Sequence, residues 1–239
     1  MSFVHGSSAR VYVNGFDLSA FLKNVSSAAE IEAHDSTTFG ATAKTYVPGL
    51  EDATLSADGL FSGAVGATDA VFHAALRGRT PVVWSWLPSG DVDGGFGYGF
   101  LALETSYEIE SPVDDLVSVS AEAQSNAGRE RVQVLAPLSA RTATGNGTSR
   151  DNAAATTAGG VGYLQVATVS GATPSLTAVI QHSVDGTTWV DLITFTAVTV
   201  SNRAQRVAVA GTVNRHTRVI WTISGATPSF TFFAAFGRY

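Results

Sequence analysis

Apolar and polar residues alternate along much of this 239-residue sequence, and turn-forming residues interrupt the alternating segments. In the clearest of these segments, one predicted strand face carries Leu103, Thr105, Tyr107 and Ile109 and the other carries Glu104, Ser106, Glu108 and Glu110. A period of two residues predicts a β-strand with one buried face. Val, Thr and aromatic residues, which favour strands, are frequent, and 24 glycines supply turns. The sequence therefore predicts an all-β protein.

One segment departs from this alternation. Residues 68–78 begin with Thr68 and Asp69 and end with Gly78, and between them the apolar side chains are Val71, Phe72, Ala75 and Leu76. A capping residue, this apolar spacing and a terminal glycine together predict a short amphipathic helix. The expected fold class is thus all-β with one short helix.

Composition predicts two domains. Residues 1–137 hold seven or eight predicted strands and the helix, and residues 136–160 are nearly all Pro, Ala, Thr, Gly, Ser and Asn, as in a linker. Six further strands are predicted at regular spacing, which favours a β-sandwich within residues 138–239. The repeat Ser-Gly-Ala-Thr-Pro-Ser at 170–175 and 224–229 predicts two similar turns, each between two strands.

Charge is unevenly divided along the chain. The 20 acidic and 14 basic residues give a net charge of -6, with -9 on residues 1–145 and +3 on residues 146–239. This balance argues against a broadly basic surface that binds nucleic acid through its phosphates. No apolar run approaches the roughly 20 residues that span a bilayer, and residues 1–5 show no export signal. We expect a protein assembled in the cytoplasm without membrane insertion.

The usual signatures of catalysis and metal binding are missing from the sequence. It has no cysteine, and its five histidines lack metal-ligand spacing. No G-x-S-x-G motif occurs, the glycines of 94–99 lack the spacing of a phosphate-binding loop, and residues 91–94 open like a calcium loop without the later ligands. We therefore expect no enzyme activity, no cofactor and no metal.

Rows of carboxylates are the most distinctive polar feature. They lie on two predicted strands, at Glu30 and Glu32 and at Glu104, Glu108 and Glu110. Such rows fit a solvated strand face, a continuous acidic wall, or a catalytic or metal-binding pair of carboxylates. The acidic wall is the functional alternative that a row favours, because an acid/base pair usually sits alone in a cleft.

The N-terminal part combines a hairpin at 10–18, a strand at 29–35 that enters a long loop, the segment 46–61 and a helix at 69–76. This order of elements resembles the major tail tube protein of long-tailed, siphovirus-type bacteriophages. It implies a tail tube β-sandwich or barrel domain in residues 1–137. The C-terminal part, with Asp185-Gly186 and Trp189, resembles the Ig-like β-sandwich appendages of phage tail and capsid proteins.

This resemblance implies a structural virion protein that self-assembles into hexameric rings, which stack into the tail tube. The implied partners are further copies of the chain, the tape-measure protein and double-stranded DNA, which passes through the tube as transient cargo. Glu30, Glu32, Glu104, Glu108 and Glu110 are the candidates for the lumen lining, since carboxylates repel DNA phosphates. The segment 35–48 is the candidate inter-ring loop, with Asp35, Thr38, Phe39, Lys44 and Tyr46 as its candidate contact residues.

Two alternatives stay open. The chain fits an adhesin or receptor-binding tail protein that recognises host surface saccharide through Asp185, Trp189 and Arg218, although Trp189 and Trp221 also suit a sandwich core. An enzyme with a carbohydrate-binding appendage is the other alternative.

Overall fold

The computed structural model describes residues 3–239. It confirms the predicted all-β fold, because strands make up 61% of the chain. Among the described residues the one α-helix is Thr68–Gly78, and a 3-10 turn spans Gly6–Ser8.

The strands and the helix have the following bounds: β1 (Arg10–Val13), β2 (Phe16–Asp17), β3 (Leu22–Asp35), β4 (Tyr46–Leu60), α1 (Thr68–Gly78), β5 (Val82–Leu87), β6 (Phe96–Glu110), β7 (Ser118–Ser125), β8 (Glu130–Arg141), β9 (Gly145–Asn146), β10 (Arg150–Asp151), β11 (Gly160–Ser183), β12 (Val190–Thr194), β13 (Arg203–Val209) and β14 (His216–Arg238).

The chain forms two compact units that interleave along the sequence. The sheet unit consists of Phe21–Pro81 and Phe100–Arg129. The ribbon unit consists of the described residues up to Ala20, Val82–Gly99 and Glu130–Tyr239. These units divide the chain differently from the predicted segments 1–137 and 138–239.

The predicted domain boundary falls inside strand β8. Strand β8 pairs with β14 on both sides of that boundary, from Gln133 to Arg141. The segment predicted as a linker is also paired, since β9 and β10 both hydrogen bond to β14. Its small residues are therefore accommodated in short strands.

The sheet unit is built on four antiparallel strands in the order β3-β4-β7-β6. Leu55 and Ala57 of β4 are buried, and their partners in register are Ala123 and Ala121 of β7. Because directly opposite residues share a face, these pairs form one apolar, buried face. The alternation that the sequence shows is thus the cause of the two-faced sheet.

Helix α1 confirms the predicted helix, with Thr68 and Gly78 as its first and last residues, but its caps differ from the predicted ones. Its N-cap is Ala67, without a side-chain hydrogen bond, and Arg79, with a φ of 51°, follows its last residue. Thr68 is buried within the first turn, where its hydroxyl donates to the Leu60 carbonyl at 2.9 Å and accepts from the Ser62 amide at 3.0 Å. Thr68 thus ties the helix to β4 rather than capping it.

The ribbon unit is dominated by β11 and β14, which have 24 and 23 residues and pair with each other along nearly their whole length. The strand order is β12-β11-β14-β8-β6-β5-β1-β2, with β6 represented by residues 96–99. Side chains from both halves of the β11–β14 ribbon share one buried core, including Leu164, Leu176, Trp221 and Phe232. The ribbon therefore supplies both layers of a sandwich.

The repeated hexapeptide forms a pair of facing bulges instead of the two predicted turns. Its two copies lie inside the continuous strands β11 and β14, where Ser170 pairs with Ser229 and Ser175 with Ser224. Gly171 and Gly225 have φ angles of 109° and 122°, which disfavour any residue with a Cβ. Equal sequences opposite each other adopt equal conformations, and bulges are a way for strands to pass from one layer of a sandwich to the other.

Candidate functional site

The second face of the four-stranded sheet is polar and acidic. This face consists of the residues that alternate with the buried ones along each strand and pair with one another across the strands. Six of these residues are carboxylic acids. We call these six the acidic face: Glu30 on β3, Asp52 and Asp58 on β4, Glu108 and Glu110 on β6, and Glu122 on β7. The other described positions of this face are Asn, Ser, Thr, Ala, Gln and Leu, with no Lys or Arg among them.

Hydrogen bonds across the strands organise part of this face. Asp58 accepts from Ser120 at 2.8 Å and from Asn24 at 3.2 Å. Ser26 and Ser56 are hydrogen bonded at 2.8 Å, and Gln124 donates to Asp52. These contacts fix short polar side chains between the carboxylates.

The register of the strands places like charges opposite each other on the acidic face. Glu30 lies directly opposite Asp52, and like charges at opposite positions destabilise a sheet. Lys23 reaches a hollow of about 500 Å³ that Asp58, Glu108 and Glu110 also line. One cation beside so many carboxylates leaves the face strongly negative.

Glu104 does not share a face with Glu108 and Glu110, so the predicted row is wrong at this residue. The register of β6 against β7 shifts between Glu104 and Ser106, which marks a β-bulge at Thr105. One extra residue reverses the alternation, so Glu104 lies opposite the buried Ala123 on the apolar face.

The bulge leaves Glu104 in an apolar environment. The residue is 3% exposed, and neither carboxyl oxygen has a hydrogen-bond partner among the described residues. Burial raises the pKa of Glu104 to about 8, because an ionised carboxylate is costly to remove from water. Glu104 is therefore protonated at neutral pH.

Glu32 also falls outside the acidic face. The register of β3 against β4 shifts between Ile31 and Ala33, so Glu32 stands at an irregularity. Its carboxylate lies 3.7 Å from Nε2 of His34, and both side chains are largely exposed. Glu30, Glu108 and Glu110 are the predicted lumen residues that the structure brings together.

Beyond this irregularity the β3–β4 hairpin forms an exposed arm, which we define as residues 31–50. The predicted loop at 35–48 is shorter than expected, because β3 continues to Asp35 and β4 starts at Tyr46. Every residue from 30 to 48 is exposed. The arm nevertheless carries large apolar side chains, namely Ile31, Phe39, Tyr46, Val47 and Leu50.

The five candidate contact residues of the inter-ring loop all lie on this arm. Asp35 and Tyr46 pair across the base of the turn, and Lys44 lies 3.7 Å from Asp35. Thr38 and Phe39 lie in the connection of residues 36–45, with Phe39 fully exposed. Hydrogen bonds from Thr37 lower the pKa of Asp35.

The predicted saccharide patch is only partly assembled. The Arg218 guanidinium stacks on Trp189 at 4.1 Å and covers one face of the ring. Trp189 is not part of the buried core, contrary to the expectation that it packs there. Asp185 accepts from the amides of Thr187 and Thr188, both at 2.8 Å, and these bonds hold its pKa well below its usual range. Asp185 thus shapes its own turn, whereas Trp221 lies in the core as predicted.

Comparison with known proteins gives structural similarity only. No protein-family model matches the sequence, and no curated protein matches it significantly. The solved structure of the virion of a native gene transfer agent particle is similar over 54% of this chain and 98% of that chain, with 15% identity and a TM-score of 0.44.

Two further solved structures are similar to the chain. The SPP1 tail tube matches over 54% of this chain and 78% of its own, with 13% identity and a TM-score of 0.44. The SPP1 Dit protein matches over 96% of this chain and 99% of its own, with 11% identity and a TM-score of 0.39.

Sequence reasoning missed half of the acidic face, namely Asp52, Asp58 and Glu122. A signal was present, because Asp52 and Asp58 alternate with Ala53, Leu55 and Ala57 along β4. Among residues 3–239, no three His, Asp or Glu side chains come close enough to form a metal site. In the same part of the chain, no helix is long and apolar enough to cross a membrane.

Proposed function

We propose that this chain is a structural subunit of a phage tail that assembles as stacked hexameric rings, and that the resulting tube conducts double-stranded DNA. The observation that carries the proposal is the acidic face, with six carboxylates on one side of a four-stranded sheet. A surface of this kind repels the DNA backbone, so DNA slides along it without being held. The solved structures that are similar to the chain include a virion and a tail tube.

Ring formation is supported by an open sheet edge. Among the described strands, β3 pairs only with β4, although it has 14 residues. A long unpaired edge is a template for pairing with another chain, and closing sheets into a barrel removes such edges. In the proposed ring, β3 of one copy pairs with a neighbouring copy, and the acidic faces line the lumen.

Stacking of the rings is assigned to the arm. Ile31 and Leu50 are 61% and 90% exposed, and Phe39 is fully exposed, which is unfavourable for a single copy in water. Contact with the next ring buries these side chains. The tape-measure protein is the proposed occupant of the lumen during assembly in the host cytoplasm, and the mature location is the virion tail.

Negative-stain electron microscopy of the purified full chain tests the assembly directly. We expect rings or tubes with six-fold symmetry. A dispersed monomer that binds host saccharide contradicts the proposal and favours the receptor-binding alternative.

Substitution on the arm separates ring formation from stacking. In the double variant Phe39→Ser and Leu50→Ser, we expect rings without tubes, because only the arm loses its apolar surface. The control is Val113→Ser with Leu116→Ser, which changes two exposed apolar residues outside the arm. Equal tube yields for both variants would show that the arm does not stack the rings.

Charge reversal on the acidic face tests the conduit. Glu108→Lys with Glu110→Lys should leave tubes intact but impair DNA ejection from virions, because cations in the lumen bind phosphates. Asp114→Lys with Asp115→Lys makes the same charge change in the exposed β6–β7 connection and should eject DNA normally. Normal ejection by both variants contradicts a lumenal position of the face.

A further inference from the structure

The ribbon unit has a polar surface of its own. It is a groove of about 430 Å³, and we call it the arginine groove. It is lined by Phe96, Arg131, Gln133, Asp151, Asn152, Thr217, Phe236 and Arg238. Arginines, amides and aromatic rings around one depression suggest a site for a polar ligand with an apolar surface.

The two arginines of the groove have hydrogen-bonding capacity to spare. Arg131 stacks on the Phe96 ring at 3.9 Å, and none of the described residues accepts a hydrogen bond from its guanidinium. Arg238 donates through Nη2 to the Ala154 carbonyl at 2.6 Å, while its Nε is buried without a partner. Burial lowers the pKa of Arg238, so its charge is partly desolvated without a counter-ion.

The one acid in the groove does not neutralise these arginines. Asp151 forms a bidentate pair with Arg215, with distances of 2.6 Å from Nε to Oδ1 and 2.5 Å from Nη2 to Oδ2. Two guanidinium groups are therefore left to attract an anion. A guanidinium matches the planar geometry of a carboxylate and binds it through two parallel hydrogen bonds.

The amide side chains of the groove offer hydrogen-bond acceptors. Gln133 uses its Nε2 to donate to the Gly94 carbonyl at 3.0 Å, and Asn152 uses its Nδ2 to donate to the Arg215 carbonyl at 2.8 Å. No hydrogen bond within the described residues occupies the amide oxygen of either side chain. Two acceptors of this kind suit hydroxyl donors, and the half-exposed Phe96 ring suits the apolar face of a sugar.

We propose that the arginine groove binds an acidic saccharide, with its carboxylate on Arg131 and Arg238 and its hydroxyls on Gln133 and Asn152. This site is distinct from the predicted patch at Asp185, Trp189 and Arg218, where the acid is used by its own turn. Donors for a carboxylate and acceptors for hydroxyls occur together in the groove, which fits a uronic acid better than an acidic peptide. The proposal does not depend on ring or tube assembly.

Calorimetric titration of the full chain with trigalacturonate tests the proposal, with its fully methyl-esterified form as the uncharged analogue. We expect the acid to bind and the ester to bind at least about 10-fold more weakly, because a charge-assisted hydrogen bond to a carboxylate is lost. Arg131→Gln should weaken binding of the acid by about the same factor. Arg131 is exposed, so this variant keeps the fold.

A matched control and a second variant complete the experiment. Arg203→Gln removes one exposed positive charge from the same unit outside the groove and should leave the affinity unchanged. Gln133→Leu removes an acceptor for a sugar hydroxyl, so it should weaken binding of the acid and binding of the ester to the same extent. The proposal is overturned if neither saccharide binds, if acid and ester bind equally, or if Arg203→Gln weakens binding as much as Arg131→Gln does.

Discussion

The sheet unit and the ribbon unit each bury one glutamate, and the surroundings of these two residues are opposite. Glu104 of the sheet unit is 3% exposed and has no hydrogen-bond partner among the described residues. Glu130 of the ribbon unit is 6% exposed and accepts from Arg206, Tyr163 and Tyr239. A buried carboxyl group is thus bound by three donors in the ribbon unit and left without a partner in the sheet unit.

The network around Glu130 also anchors the C-terminal residue. Arg206 donates to Glu130 through Nε at 2.8 Å, and Tyr239 donates to it at 2.5 Å. Burial, followed by the charge of Glu130, raises the pKa of Tyr163, and burial, followed by the hydrogen bond to Glu130, raises the pKa of Tyr239 to about 12. The three donors therefore stay protonated across the physiological pH range.

The two units also differ in net charge. The sheet unit holds 13 acidic and 5 basic residues, which gives -8, and the ribbon unit holds 7 and 9, which gives +2. Six of the 13 acidic residues of the sheet unit lie on one sheet face, whereas basic residues of the ribbon unit form stacks and ion pairs such as Arg206 with Glu130. Charge thus forms an exposed face in the sheet unit and a buried ion pair in the ribbon unit.

The largest effect on stability is expected from breaking the Glu130 network. Glu130→Leu leaves the Arg206 charge and two tyrosine hydroxyls without their acceptor, and removing one partner of a buried ion pair costs about 3–5 kcal/mol. Urea denaturation should show a loss of this size in the free energy of unfolding. Glu110→Leu, at an exposed position, serves as the control, and equal losses would mean that the network does not stabilise the ribbon unit.

A pH-dependent effect is expected from Glu104. Its pKa is raised from 4.5 in the unfolded chain to about 8, so the unfolded chain loses this proton first as the pH rises. The unfolding free energy contributed by this group is therefore highest below about pH 4.5 and falls by up to about 1.4 kcal/mol per pH unit until about pH 8.

Glu104→Gln should remove this slope, because the amide does not ionise. The difference in unfolding free energy between pH 5 and pH 7, measured by denaturant titration, should be about 3 kcal/mol smaller in the variant than in the parent chain. Glu108→Gln, on the same strand but exposed, should keep the slope. A slope unchanged in Glu104→Gln would show that the residue is not buried as an isolated acid.

A smaller effect is expected from the paired bulges of the ribbon. A Cβ at Gly171 meets the Thr227 carbonyl at 2.7 Å, and a Cβ at Gly225 meets the Thr173 carbonyl at 2.9 Å. Gly171→Ala and Gly225→Ala should therefore each lower the free energy of unfolding by about 2 kcal/mol, because of backbone strain and the close backbone contact. The two losses should be equal. Thermal denaturation measures both.

Gly211 supplies the matched control for these glycines. It also has a positive φ, of 90°, but a Cβ there meets nothing within 4 Å. Gly211→Ala should lower the free energy of unfolding by only about 1 kcal/mol, which is the cost of the positive φ without a steric contact. If Gly171→Ala and Gly225→Ala differ clearly from each other, the two bulges are not equivalent.

The all-β class, the helix at Thr68–Gly78 and the alternation of acidic with apolar residues could be predicted from the sequence, because each depends on a local period or composition. The position of Trp221 in the core followed from the same reasoning. These features need no knowledge of which strands are neighbours.

Strand pairing decides which acids share a face and which conformation the repeat adopts. The bulge at Thr105 and the irregularity at Glu32 appear only when one strand is paired with another, since a bulge is defined by its partner strand. The two copies of the hexapeptide lie 54 residues apart in sequence, and they face each other only because β11 pairs with β14. Alternation within a strand is local, whereas register is a property of two strands, and register is what turned Glu104 inward.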